Sequence, residues 1–149
     1  MHGPTDAQRR QLDDHAAAEL RFDVDAVMDT VDDDCTYEWH PDGRVLHGRD
    51  ACRRMYEAFL PRWQRLAAEA GLRFEVRSEA WSDRGRIREQ VAFVVTPGGV
   101  EERHDFVVMV EFGARGVRSE RTYASTALHR LFLGDHYDEL APLEGSTTA

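Results

Sequence analysis

The sequence predicts an α+β domain: a curved, mixed but mostly antiparallel sheet rolled into a cone around one long helix. Three observations carry this. The chain opens with helical periodicity interrupted by a short alternating segment. A long amphipathic pattern then runs from Gly48 to Gly71. From residue 72 the apolar period switches from 3.6 to 2 and holds for four consecutive segments.

The elements follow in order. Residues 6–22, DAQRRQLDDHAAAELRF, read as a helix with Leu12, Ala16 and Leu20 in one stripe, flanked by His15 and Glu19 one turn apart. Asp23 or Asp25 caps a second, short helix carrying Val24, Val27, Met28 and Val31, which the acidic run Asp32-Asp33-Asp34 ends. Residues 35–39 alternate, with Cys35, Tyr37 and Trp39 on one side and Thr36 and Glu38 on the other. HPDGR is a turn that takes His40 to the rim, and VLH returns as a brief strand.

GRDACRRMYEAFLPRWQRLAAEAG is the long helix, with Cys52, Met55, Tyr56, Phe59, Leu60, Trp63, Leu66, Ala67 and Ala70 on its apolar face. Pro61 predicts a kink or two abutting helices, and Gly71 is the stop. LRFEVRSEAWSD, RIREQVAFVVT, EERHDFVVMVEF and GVRSERTYASTAL are four strands separated by the hairpin turns DRG, PGG and GARG. Residues 6–133 thus make one domain, and 134–149, acidic and then small and polar, read as a flexible tail.

A helix laid across a curled sheet cannot fill the wide end of the cone, so a pocket is expected there. Tyr37, Trp39, Tyr56, Phe59 and Trp63 supply an aromatic wall for it. Alternation turns Phe106, Val108, Val110 and Phe112 inward, and His104 shares their parity. The convex face keeps Val107 and Met109, which predicts a homodimer through that face.

Bulk properties bound the partners. The 149 residues carry a formal net charge of −9, all basic residues are arginines, and they are dispersed. That disfavours nucleic acid and anionic membrane as partners, and no apolar run approaches the ~20 residues of a membrane span. No secretory h-region is visible, and Cys35 and Cys52 form no CxxC, which together predict a reduced, cytoplasmic setting. The seven histidines show neither HxH nor HExxH spacing, and there is no Gly-rich phosphate loop, so no metal and no cofactor are expected.

The segment DVDAVMDTVDDDCTYEWHPDGRVLHGRDACRRMYEAF, with GVRSERTYAS near the end, resembles the SnoaL-like polyketide cyclase family of the nuclear transport factor 2-like superfamily. The shared features are a helix, an Asp-Asp before a strand, Gly-Arg-Asp-Ala opening the long helix, and Arg-x-Tyr in the last strand. The likeness spans residues 10–133. It implies the cone-shaped roll, also called cystatin-like, and a family whose members include isomerases, dehydratases, epoxide hydrolases, aldol cyclases and non-catalytic binding domains.

Familiar catalytic positions are occupied differently here. Ketosteroid isomerases place an aspartate base where this chain has Trp39. Limonene epoxide hydrolases keep an Arg-x-Asp pair and a further Asp at positions that read Gln90, Ala92 and Thr122. The Asp that often ends the last strand is Ser125. Placing Thr122 inward by this likeness also turns Arg118, Glu120 and Ala124 inward, with Arg88, Gln90, Ala92 and Val94 on the neighbouring strand. The expectation is a proton-transfer pocket with His104, Glu120 and His15 as acid–base candidates. Arg88, Gln90, Thr122 and the aromatic wall would hold a small apolar or aromatic, oxygenated molecule such as a polyketide intermediate. The other reading is a non-catalytic ligand-binding or dimerisation module of the same fold.

Overall fold

The computed structural model describes residues 3–144. Helix α1 (Asp6–Leu20) starts in a capping box, in which the Thr5 hydroxyl accepts from the Gln8 backbone N–H and the Gln8 side chain accepts from that of Thr5. Its buried residues are Leu12, His15 and Ala18, while Leu20 at the last position is exposed. The buried face is therefore rotated from the predicted stripe, and His15 lies inside it. Helix α2 (Val24–Met28) is capped by Asp23. Strand β1 (Val31–His40) begins earlier than expected, so the acidic run belongs to the strand. Buried Asp32 accepts from the backbone N–H groups of Ala114 (2.8 Å) and Arg115 (2.7 Å), tying down the turn that precedes β6.

Strand β2 (Arg44–His47) leads into α3 (Arg49–Ala70), one helix that runs through Pro61 without division. Both Pro61 and Glu57 are exposed, so water can satisfy the carbonyl that proline leaves unpaired. Cys52, Met55, Tyr56, Leu60 and Trp63 are its buried side. Gly71 ends the helix in the left-handed conformation (φ 61°).

Strands β3 (Arg73–Trp81), β4 (Gly85–Val95), β5 (Glu101–Phe112) and β6 (Val117–Tyr123) form the predicted antiparallel meander. β6 then pairs parallel with β1, which makes the sheet mixed, with order β3-β4-β5-β6-β1-β2-β7. The last long strand is shorter than its sequence pattern. Ser125 caps the backbone N–H of Leu128 and starts α4 (Thr126–Leu133), whose Leu128, His129 and Leu133 are buried. The stretch read as a tail contributes α5 (His136–Glu139) and β7 (Ala141–Pro142), which pairs with β2. Burial of Tyr137 and Leu140, and a hydrogen bond from the Tyr137 hydroxyl to Asp42, anchor it. Residues 145–149 of that stretch lie outside the described residues.

Gly85 opens β4 against β5, where a methyl group would overlap the Val110 carbonyl. Gly85→Ala is expected to destabilise the domain by about 1–3 kcal/mol, the usual cost of overpacking, read as a lower urea midpoint. An unchanged midpoint would mean that β4 slides freely over β5.

Candidate active site

Strand register brings the site together. Arg86 on β4 lies opposite Val110 on β5, Val110 opposite Glu120 on β6, and Glu120 opposite Tyr37 on β1. The next inward rung is Arg88, Val108, Thr122 and Trp39, and beyond it Gln90 meets Phe106. Helix α1 brings His15 and Glu19 over the first rung, and α3 brings Tyr56. These groups line one cavity of about 490 Å³, whose remaining wall is mostly apolar and includes Phe59, Trp63, Phe74 and Phe132. The aromatic rings pack on one another, as in Phe59 stacked on Trp63 at 5.1 Å.

All but one of the predicted site residues line this cavity: His15, Glu120, Tyr37, Trp39, Tyr56, Phe59, Trp63, Arg88, Gln90 and Thr122. His104 does not. It has the inward parity but lies on the rung beyond Phe106, opposite Ala92, where it pairs with exposed Glu102 at 3.3 Å. Glu38 and His40 pair with each other at 2.7 Å, with His40 stacked on Tyr123, away from the cavity wall that Trp39 provides. Four lining residues that carry a charge or an imidazole were not singled out from the sequence as site residues: Glu19, Arg73, Arg86 and His129. Arg86 and Glu19 were within reach, one by a further step of the β4 alternation and the other by the i,i+4 pairing with His15. His129 arrives on α4, a helix hidden in what reads as strand.

The hydrogen bonds fix the state of His15. The Thr30 hydroxyl gives its one proton to the Val27 carbonyl (2.5 Å), so its oxygen accepts from His15 Nδ1 at 2.8 Å. The Tyr56 hydroxyl gives its one proton to Glu19 Oε1 (3.0 Å) and takes one from the Tyr37 hydroxyl (3.1 Å). His15 Nε2 therefore faces only acceptors, Tyr56 Oη at 3.2 Å and Glu19 Oε1 at 3.4 Å. Both ring nitrogens act as donors, and the ring suits the imidazolium form. Burial by itself would lower the His15 pKa, but the charge and hydrogen bond of Glu19, with Glu120 behind it, outweigh burial and raise it.

Glu120 is the group left poised. Burial pushes its carboxyl up to about 7, and the neighbouring Glu19 carboxylate pushes the same way. His15, Arg86 and a Thr122 hydrogen bond offset only part of this. It is half-buried and lines the cavity. Burial, and then the Arg88 charge, draw the Arg86 guanidinium below its ordinary value, and its Nη1 has no hydrogen-bond partner among the described residues.

Ligand atoms of His15, Glu19 and Glu120 lie within 4.8 Å of one another, close enough to share a metal ion. Both His15 nitrogens carry protons in this network, so the ring offers no lone pair, and Arg86 adds positive charge beside the same carboxylates. A proton suits this set better than a divalent cation. Among the described residues no helix is long and apolar enough to cross a membrane.

No family model and no curated protein matches the chain. Solved structures do match its fold. A nuclear transport factor 2-like protein of unknown function from Cytophaga hutchinsonii is 13% identical with a TM-score of 0.63, over 79% of this chain and 99% of that one. SalBIII, described as an epoxide hydrolase/cyclase-like enzyme in pyran ring formation in polyether salinomycin, is 16% identical with a TM-score of 0.61, over 81% of this chain and 92% of that one. A Catenulispora acidiphila protein with a ketosteroid isomerase-like fold, solved with trimethylamine, is 16% identical with a TM-score of 0.57, over 83% and 92%.

These likenesses define the class as an α+β cone with a helix-covered cavity. The chain has the nuclear transport factor 2-like fold, and the resemblance to SnoaL-like proteins holds at the level of that fold.

Proposed function

We propose that the protein is an enzyme that moves a proton on a small, largely apolar, oxygenated molecule such as a polyketide intermediate, without a cofactor. One observation carries this reading: a carboxyl group with a pKa of about 7 faces an apolar cavity beside a guanidinium. Glu120 takes a proton alpha to a carbonyl and returns it at another carbon (isomerisation), to a leaving hydroxyl oxygen (dehydration), or to the alkoxide formed when the enolate carbon attacks a second carbonyl of the same molecule (cyclisation). Arg86 steadies the negative charge that forms on oxygen. His15 pairs with Glu19, and the Thr122 side chain gives Glu120 its hydrogen bond.

That the SalBIII structure is described as a cyclase-like enzyme supports catalysis on this fold. The competing reading, a binding module, draws on the mutual pairing of His15, Glu19, Tyr56 and Tyr37. Glu120 and Arg86 fit it less well. Ile87 and Tyr123, each 43% exposed, flank Met109 and Val107 on the convex side, which supports a homodimer through that face.

The test is hydrogen–deuterium exchange at the carbon alpha to the ketone of 2-tetralone, followed by proton NMR in D₂O. The wild-type protein is expected to accelerate exchange, and His104→Ala to match it. No acceleration by wild type, or equal acceleration by Glu120→Gln, overturns the reading.

A further inference from the structure

We propose that the cavity selects a monoanion: an apolar ring system bearing one carboxylate, which sits on the Arg86 guanidinium next to Glu120. This names the substrate class of the site above and rests on reading the cavity as a binding site.

The argument begins with charge. Arg86 is only 8% exposed, and its Nη1 meets no acceptor among the described residues. The guanidinium lies over the Trp81 ring at 5.3 Å, a contact that supplies no counter-charge, and a buried permanent charge is best offset by a permanent counter-charge. The carboxylates around it are otherwise engaged or distant from water's exclusion. Glu79 accepts from Arg88 Nε (2.5 Å) and from Trp81 Nε1 (2.5 Å). Glu19 is taken by Tyr56 and His15. Asp13 acts on Arg86 from an exposed position on α1. Glu120 is the remaining neighbour, and its raised pKa leaves it largely protonated below neutrality. Pairing Arg88 with Glu79, His15 with Glu19, and Arg73 with Glu75 and Glu101 leaves one positive charge, that of Arg86, facing the cavity.

Shape supplies the rest. The planar guanidinium offers a fork of N–H donors that suits a carboxylate. It is the polar end of a cavity whose other walls are Trp39, Phe59, Phe74 and Phe132, with room for a ring system within about 490 Å³. A neutral ketone would fill the same space and leave the charge uncompensated.

The experiment is calorimetric titration with 2-naphthoate and with its neutral isostere, 2-naphthamide, at pH 6.5. It reads binding without turnover, so it can succeed even where no proton transfer is catalysed. Wild type is expected to favour the acid by about tenfold or more, the scale of one charge-assisted pair. Arg86→Gln is expected to bind both compounds alike, and His104→Ala, outside the cavity lining, to keep the preference. The wild-type comparison stands even where the Arg86 variant fails to fold. Equal binding of acid and amide by wild type, binding of neither, or a preference that survives in folded Arg86→Gln overturns the proposal.

Discussion

Glu120→Gln is expected to slow exchange of the ketone probe by about 10²–10⁴-fold, the usual contribution of a positioned acid–base group, while raising stability above neutrality. The two effects have one origin. The cavity lifts the carboxyl from 4.5 to about 7, so the folded state holds a proton that the unfolded state has released. A group with a raised folded pKa contributes stability that is complete below pH 4.5 and lost as pH climbs through about 7. The loss is on the order of 3 kcal/mol, and glutamine does not incur it.

The variant's melting temperature should therefore meet the wild type near pH 4.5 and exceed it at pH 8. His15, also raised, loses stability as pH rises in the same direction. His129, whose pKa burial lowers, has the opposite sign below pH 6.5, but it sits on α4 and cancels in the comparison. The lowered carboxyls of Asp42, Glu79, Asp105 and Asp138 titrate below the window. The groups facing Glu120 are Glu19 and His15 from α1, Arg86 from β4 and Thr122 on its own strand, and none of them is removed by the substitution. Parallel melting curves from pH 4.5 to 8 would show that Glu120 titrates as an ordinary surface carboxylate.

The legible part of the site is what strand alternation can carry. Period 2 turns Phe106 and Val108 inward, the family likeness at Thr122 sets the parity that adds Glu120, Thr122, Arg88 and Gln90 to that side, and the structure has them there. Parity does not say how far along a strand the cavity extends. His104 obeys the alternation and still misses, because on its rung the cavity is lined by Phe74 and not by His104, whose ring pairs with exposed Glu102. Arg86 obeys it too, at the other end, where a reading that starts from Arg88 stops one step short.

His15 shows a different limit. Its burial depends on how α1 rolls over the sheet, and a stripe through Leu12, Ala16 and Leu20 differs from the buried Leu12, His15 and Ala18 by a modest rotation. Its charge depends on Thr30 and Tyr56, residues far apart in sequence. The end of β6 was hidden because Ala124, Ser125 and Thr126 continue a strand-like composition, while the Ser125 cap that starts α4 needs geometry to be seen.

Val108→Trp is expected to abolish binding of 2-naphthoate, by more than about 100-fold, without loss of stability. Val108 sits on the middle inward rung between Arg88 and Thr122, one rung from Glu120. An indole there projects into the cavity against Trp39 and Phe59, with the Thr122 hydroxyl alongside for its N–H. Filling open apolar space adds contacts that the present lining lacks, so the melting temperature should hold or rise. No charged group is replaced, which separates loss of space from loss of the Arg86 and Glu120 chemistry. His104→Ala, on the same strand and the same parity, is the matched control and should bind as wild type. Binding that survives Val108→Trp and falls in His104→Ala would move the site from the cone to its rim. The opposite pattern ties recognition to the space beneath α1 and α3, where the poised carboxyl lies.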